Sequence, residues 1–283
     1  MLKAAGLLVC DPGGVFLNKI RVFVSGAMGK MGQEVIKTIL AQDDLVLVGA
    51  ADTRGQGRDV GYLMGIARVG IDVSGPLDLE ILKSSQADIL VDFTNPQSVL
   101  KNAQVAIKAG VVPVIGTSGL DEDDIAKIKA AISKKGVGAF VASNFAIGAV
   151  LMMRFAREAA KYLPHIEIIE LHHDQKLDAP SGTALKTAEW IAQVREPMPQ
   201  GHPDEFEKLP GARGADFGGL HIHSVRLPGL VAHQEIIFGG LGQTLTIRHD
   251  AFTRETYMPG VVLAIRRAYK LTDLVIGLEN FLD

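Results

Sequence analysis

The chain has one cysteine, Cys10. A lone thiol cannot close an intramolecular disulfide, so the fold must rest on packing, and cysteine usage leaves the redox compartment open. Long apolar runs are missing too. Residues 45–51 and 89–93 are strongly hydrophobic, but both fall far short of the ~20 residues that a membrane-spanning helix needs. Neither charge sign dominates: a formal net charge of -3 gives no electrostatic footprint for nucleic acid or an anionic membrane surface. No internal repeat or low-complexity tract is present. Residues 1–19 carry a single early Lys3 and a short Ala-Ala-Gly-Leu-Leu-Val run, too little for a secretory signal. They read as a poorly ordered leader, and the expected compartment is the cytoplasm, or a plastid if the source is a plant.

What remains is enough material for two cores. With 283 residues, 47% of them hydrophobic and 22% charged, a soluble two-domain chain is the natural expectation. Strand patterns at 20–25, 45–51, 88–93, 111–115 and 137–142 alternate with helical patterns at 29–41, 96–109 and 121–135. Near-continuous apolar strands separated by helices predict a doubly wound parallel sheet covered on both faces. After Asn144 the rhythm changes. A helix at 148–162, a strand at 166–171 and a helix at 181–194 are followed by a Gly-, Pro- and charge-rich loop at 196–219. Three strands with hairpin-like spacing come next, at 220–227, 231–238 and 243–249. Alternation such as His221-Ile222-His223-Ser224-Val225 suits a sheet with one solvated face. A last helix is expected at 255–271. The domains are thus expected at 20–144 and 145–254, with 255–283 as a closing segment.

Gly26-Ala27-Met28-Gly29-Lys30-Met31-Gly32 follows the first of these strands and opens a helix, and Asp52 ends the next strand twenty residues beyond Gly32. Glycines let the backbone approach a pyrophosphate, the helix N-terminus offers amide hydrogens, and the acid takes a ribose hydroxyl. Met28 stands where the common pattern has its second glycine. Gly116-Thr117-Ser118-Gly119 sits at another strand C-terminus, where ligands of open α/β sheets bind.

The densest chemistry lies in Glu170-Leu171-His172-His173-Asp174-Gln175-Lys176-Leu177-Asp178-Ala179-Pro180-Ser181-Gly182-Thr183-Ala184. Adjacent histidines at a strand end point to opposite sides, so one can donate a proton while the other binds substrate. Lys176 adds a cation, and the helix amides near Gly182 and Thr183 can hold a carboxylate. Ser181 could serve only as the helix cap. A metal site from His172, His173, His221 and His223 is the rival reading, but His-Glu-x-x-His and cysteine patterns are absent and Lys176 would place positive charge beside the ion. No metal is expected.

This long segment resembles the signature of the dihydrodipicolinate reductase family, also called 4-hydroxy-tetrahydrodipicolinate reductases, of the diaminopimelate route to lysine. The resemblance runs from Ile20 to about the C-terminus and includes the glycine turn, Val91-Asp92-Phe93-Thr94, Gly116-Thr117-Ser118-Gly119 and Ala142-Ser143-Asn144-Phe145. It implies a Rossmann-type cofactor domain, an α+β substrate domain on an open mixed sheet that builds a homotetramer, and a C-terminal segment that returns to the cofactor domain. It further implies a nicotinamide cofactor, NADH or NADPH, bound by Gly26, Ala27, Met28, Gly29, Lys30, Met31, Asp52, Gly116, Thr117, Ser118, Ala142, Ser143, Asn144 and Phe145. His172 would be the proton donor with Lys176 assisting, and His173, Ser181, Gly182 and Thr183 would bind a small dicarboxylate. Some relatives have arginine where this chain has Thr53 and Asn95. Asp52 favours NADH, while Lys30, Arg54 and Arg58 could surround a 2'-phosphate. Two other classes are weaker fits. An aspartate-semialdehyde-type dehydrogenase needs a mid-chain cysteine, and a dinucleotide-sensing regulator has no use for His172, His173 and Lys176 together.

Overall fold

The computed structural model describes Leu8–Cys10 and residues 16–282, with side chains from residue 19 onward. Most of the expected leader therefore lies outside the described residues; β1 (Leu8–Cys10) pairs antiparallel with β2 (Phe16–Asn18). The chain divides into two units, one running to Phe145 and resuming at Tyr257, the other Ala146–Thr256.

The first unit is built on β3 (Ile20–Ser25), α1 (Lys30–Leu40), β4 (Leu45–Ala51), α2 (Val60–Leu63), β5 (Val73–Ser74), α3 (Leu79–Ser85) and β6 (Ile89–Asp92). It continues through α4 (Pro96–Ala109), β7 (Val112–Ile115), α5 (Glu122–Lys135) and β8 (Ala139–Val141). All four residues of β6 and of β7 are buried, as strands covered on both faces should be. The helices begin where polar side chains satisfy first-turn amides: Asp78, Asn95 and Asp121 cap α3, α4 and α5, and Gly110 and Gly136 end the last two in the left-handed region. 

Every pairing in the main sheet is parallel, and with β14 (Leu274–Ile276) at one edge the strand order is β14-β8-β7-β6-β3-β4-β5. The order reverses between β3 and β6, which makes the carboxyl ends of those two strands the switch point where such sheets bind ligands. The expected doubly wound sheet is present. The sequence patterns missed α2, β5 and α3, which fill the crossover between β4 and β6, because these elements are too short to show a period.

The second unit contains α6 (Ile147–Ala159), β9 (His165–His172), α7 (Gly182–Ala192), β10 (Ala215–Phe217), β11 (Leu220–Arg226), β12 (Ala232–Gly240) and β13 (Gln243–Ala251). Its mixed sheet has the order β10-β11-β9-β12-β13. Only part of the hairpin-like spacing is realised. β12 and β13 form a hairpin, but β9 inserts between β11 and β12, parallel to the first and antiparallel to the second. One face, with Ile166, Ile168, Glu170, Ile222, Ile236 and Phe238, is buried. The opposite face carries Glu167, paired with Arg213 and His223, and Glu235, paired with Arg248, so it is more polar than an apolar docking face.

The closing segment is shorter in helix than expected. A 3-10 turn (Arg254–Tyr257) precedes α8 (Met258–Ala268), and β14 (Leu274–Ile276) then adds to β8 as an edge strand of the first sheet. Phe281 stacks on Phe140 with ring centroids 4.4 Å apart. No helix among the described residues is long and apolar enough to cross a membrane.

Candidate active site

The glycine turn after β3 is held by close backbone packing. Gly26 has φ +80°, and a Cβ there would lie 2.2 Å from the Phe93 carbonyl oxygen. A Cβ on Gly32 would lie 2.1 Å from the Gly26 oxygen. Only glycine permits either approach. Asp52 closes the turn from the end of β4: its two carboxylate oxygens accept the Met28 and Arg54 amides, each at 2.9 Å. Both oxygens retain acceptor capacity for a ribose hydroxyl.

A cavity of about 580 Å³ opens beside this turn. Of the expected cofactor residues, Gly26, Gly29 and Asp52 line it, together with Arg54, Thr94 and Lys101. Lys30 and Met31 supply the first-turn amides of α1. Ala27 and Phe145 are buried, so their side chains cannot face a ligand. Phe145 instead packs on Phe93 and Phe140 at 5.6 and 6.0 Å between centroids. Thr117 belongs to an internal network, donating from Oγ1 to Asp92 at 2.6 Å and accepting the Thr94 amide at 2.7 Å. The amide-rich turn, the shielded acid and the cavity beside them fit a dinucleotide.

In the second unit the signature loop is built around Glu170, whose carboxylate is wholly buried. Glu170 and His172 are two apart on β9 and so share a face. His172 Nδ1 lies 2.5 Å from Glu170 Oε2. Parallel register brings Arg226 opposite His172, and its guanidinium grips the same carboxylate through Nη1 and Nη2 at 2.9 and 2.7 Å. Burial opposes ionisation of Glu170, but hydrogen bonds from His172 and Arg226 outweigh it and hold the pKa at about 2.

Lys176 Nζ donates to Asp178 at 2.6 Å, and this contact holds the Asp178 carboxyl below its ordinary range. His173 and Gly182 are exposed. Ser181 is the N-cap of α7, its hydroxyl accepting the Ala184 amide at 3.1 Å. Ser181 is buried in that role, and its hydroxyl keeps a hydrogen of its own to donate. The rival metal cluster does not assemble: His223 pairs with Glu167 at 2.7 Å, on the face opposite Glu170 and His172. Among the described residues no group of three or more His, Cys, Asp or Glu side chains could hold a metal ion.

Residues 20–145 match the family model described as dihydrodipicolinate reductase, N-terminus, and residues 148–282 the one described as dihydrodipicolinate reductase, C-terminus. The chain belongs to the dihydrodipicolinate reductase family. It is 68% identical to the 4-hydroxy-tetrahydrodipicolinate reductase of Desulfitobacterium hafniense, covering 94% of this chain and 100% of that protein. The Syntrophomonas wolfei protein of the same name is 55% identical over 94% of this chain and 99% of its own length. Among solved structures, dipicolinate-bound dihydrodipicolinate reductase from Paenisporosarcina sp. TG-14 superposes with a TM-score of 0.83 at 46% identity, covering 93% of this chain and all of that one. Family and fold together imply a nicotinamide dinucleotide cofactor.

Several residues of this reductase-family site carried no role in the sequence reading. Asp92, 1% exposed at the switch point, binds Thr94, Thr117 and Asn102 and so ties the ends of β6 and β7 to α4. Lys101 on α4 lines the cavity. Glu170 and Arg226 organise the loop. An acid two residues before a strand-end histidine is a readable signal, whereas Arg226 is 56 residues from Glu170 and no local pattern marks it.

Proposed function

We propose that this chain reduces 4-hydroxy-tetrahydrodipicolinate, by way of its dehydrated cyclic imine dihydrodipicolinate, to tetrahydrodipicolinate in the diaminopimelate route to lysine. The observation that carries this reading is the full-length similarity, at 68% identity, to a protein named for that reaction. When bound, reduced nicotinamide supplies the hydride, here to substrate C4. His172 provides the proton required at the neighbouring carbon, and the Lys176 ammonium adds positive charge where negative charge develops. His173 and the α7 amides at Gly182 and Thr183 hold the substrate carboxylates by charge-assisted bonds. The dipicolinate in the related structure, a planar dicarboxylate, supports that assignment. For the cofactor we assign Gly26, Ala27, Met28, Gly29, Lys30, Met31, Asp52, Gly116, Thr117, Ser118, Ala142, Ser143, Asn144 and Phe145, with Ala27 and Phe145 acting through their backbone. Oxidation of NADH or NADPH by the purified protein, dependent on the condensation product of pyruvate and aspartate semialdehyde, tests the reading. No substrate-dependent oxidation with either cofactor would overturn it.

Both nicotinamide cofactors are used, on this reading. Asp52 suits the free ribose hydroxyls of NADH. Arg54 lines the same cavity, 3.4 Å from the Asp52 carboxylate through Nε and 69% exposed, with reach to meet a 2'-phosphate. The protein works in the cytoplasm as a homotetramer joined through the open sheet face of the second unit. Light scattering that finds only a single-chain mass at micromolar concentration would exclude the tetramer.

A further inference from the structure

Glu170 does more than fill a place in a signature. Its buried carboxylate accepts from His172 Nδ1, from both terminal nitrogens of Arg226 and from the Ser181 amide at 3.2 Å. Arg226 also donates to the Asp178 carbonyl at 2.7 Å and to the Val225 carbonyl at 2.8 Å. One carboxylate thus links the end of β9, the end of β11, the middle of the loop and the cap of α7. Because it is ionised and carries no proton of its own, the hydrogen between Glu170 and His172 sits on the imidazole Nδ1.

We infer that Glu170, backed by Arg226, is the positioning residue that fixes the His172 ring and its tautomer so that Nε2 is the nitrogen that delivers the proton. This rests on the reading of His172 as proton donor. The step balances simply. The doubly protonated ring gives its Nε2 proton to the substrate carbon beside the one that has received the hydride, and it is left neutral with hydrogen on Nδ1, still donated to Glu170. Solvent restores the Nε2 proton. Without the carboxylate the neutral ring is free to take the other tautomer or to rotate about its side-chain bonds. The same carboxylate holds the Ser181 amide, so the start of α7 is set by the group that sets His172.

A neutral residue at 170 would leave the partly buried Arg226 charge without its carboxylate, so the main test uses the paired variant Glu170→Gln/Arg226→Met, which removes both charges, beside Glu170→Asp. Turnover, substrate KM and cofactor affinity are measured for each, with the ring-nitrogen NMR signals of His172. The paired variant should lose roughly 100-fold in kcat, as displacement of a general acid does, while cofactor affinity stays at the wild-type value. Recorded at a pH high enough for the ring to be neutral, its His172 signals should show mixed tautomers where wild type shows Nδ1–H alone. Adding His172→Gln to the paired variant should cost no more than His172→Gln alone, because groups that act through one another are not additive. If His172→Gln is inactive but the paired variant keeps wild-type kcat and tautomer, Glu170 is structural and the inference fails. If His172→Gln itself retains wild-type turnover, the proton-donor reading fails first. Glu170→Asp, which keeps the charge but shortens its reach, should fold normally and lose turnover; unchanged turnover would also count against positioning.

Discussion

The glycine turn after β3 and the histidine loop after β9 solve opposite problems. The first dispenses with side chains so that backbone can pack closely at a helix start: a Cβ on Gly26 or Gly32 would strike a carbonyl oxygen, and one acid, Asp52, is held by two amides. The second gathers charged side chains around a carboxylate with no exposed surface. The contrast shows why the two regions fail differently. A backbone site is disturbed by adding atoms, whereas a buried charge network is disturbed by removing one partner and leaving the other unpaired.

The largest expected effect breaks the chemistry of the loop alone. Lys176→Ala should lower kcat by about 10²–10⁴-fold, with cofactor affinity unchanged by fluorescence titration; wild-type kcat would place Lys176 outside the mechanism. Next, Arg226→Met takes the guanidinium away from the buried Glu170 carboxylate, and should lower unfolding stability by about 3–5 kcal/mol in urea titrations. On the turn side, Gly32→Ala forces a Cβ against the Gly26 carbonyl, a strain of about 1–3 kcal/mol, and should weaken cofactor binding about tenfold or more while leaving the His172 signals as they are.

A smaller effect follows from pH. The folded pKa of Glu170 is depressed from 4.5 to about 2, so the stability it contributes is present above 4.5 and drains away as pH falls toward 2. The urea midpoint of wild type should therefore drop more steeply on acidification than that of Glu170→Gln/Arg226→Met, and equal slopes would contradict this. Smallest is the cofactor choice: Arg54→Ala should cost NADPH about one power of ten in catalytic efficiency and NADH little. An equal loss with both would show that Arg54 does not read the phosphate.

Legibility in the sequence followed the same division. The main sheet was readable because β3, β4, β6 and β7 are apolar runs bounded by glycine, asparagine or aspartate, and the bounds of β3, β4 and α4 coincide with the pattern. The glycine turn is local, so spacing revealed it. Register is not local. That β9 would lie between β11 and β12, and so bring Arg226 to Glu170, depends on pairings that residue patterns do not encode. Asp92 was visible only as part of a motif; its role became plain once Thr94, Thr117 and Asn102 were seen to converge on it. Ser181 carries two readings in sequence, cap or ligand contact, and the cap is what its geometry provides.

The central claim is a division of labour, with cofactor binding in the turn and proton delivery in the loop. His172→Gln tests it most directly when one preparation is measured for both cofactor dissociation constant and turnover. The account predicts a wild-type dissociation constant with kcat reduced at least about 100-fold. Wild-type turnover, or a loss of turnover fully explained by weakened cofactor binding, would contradict it.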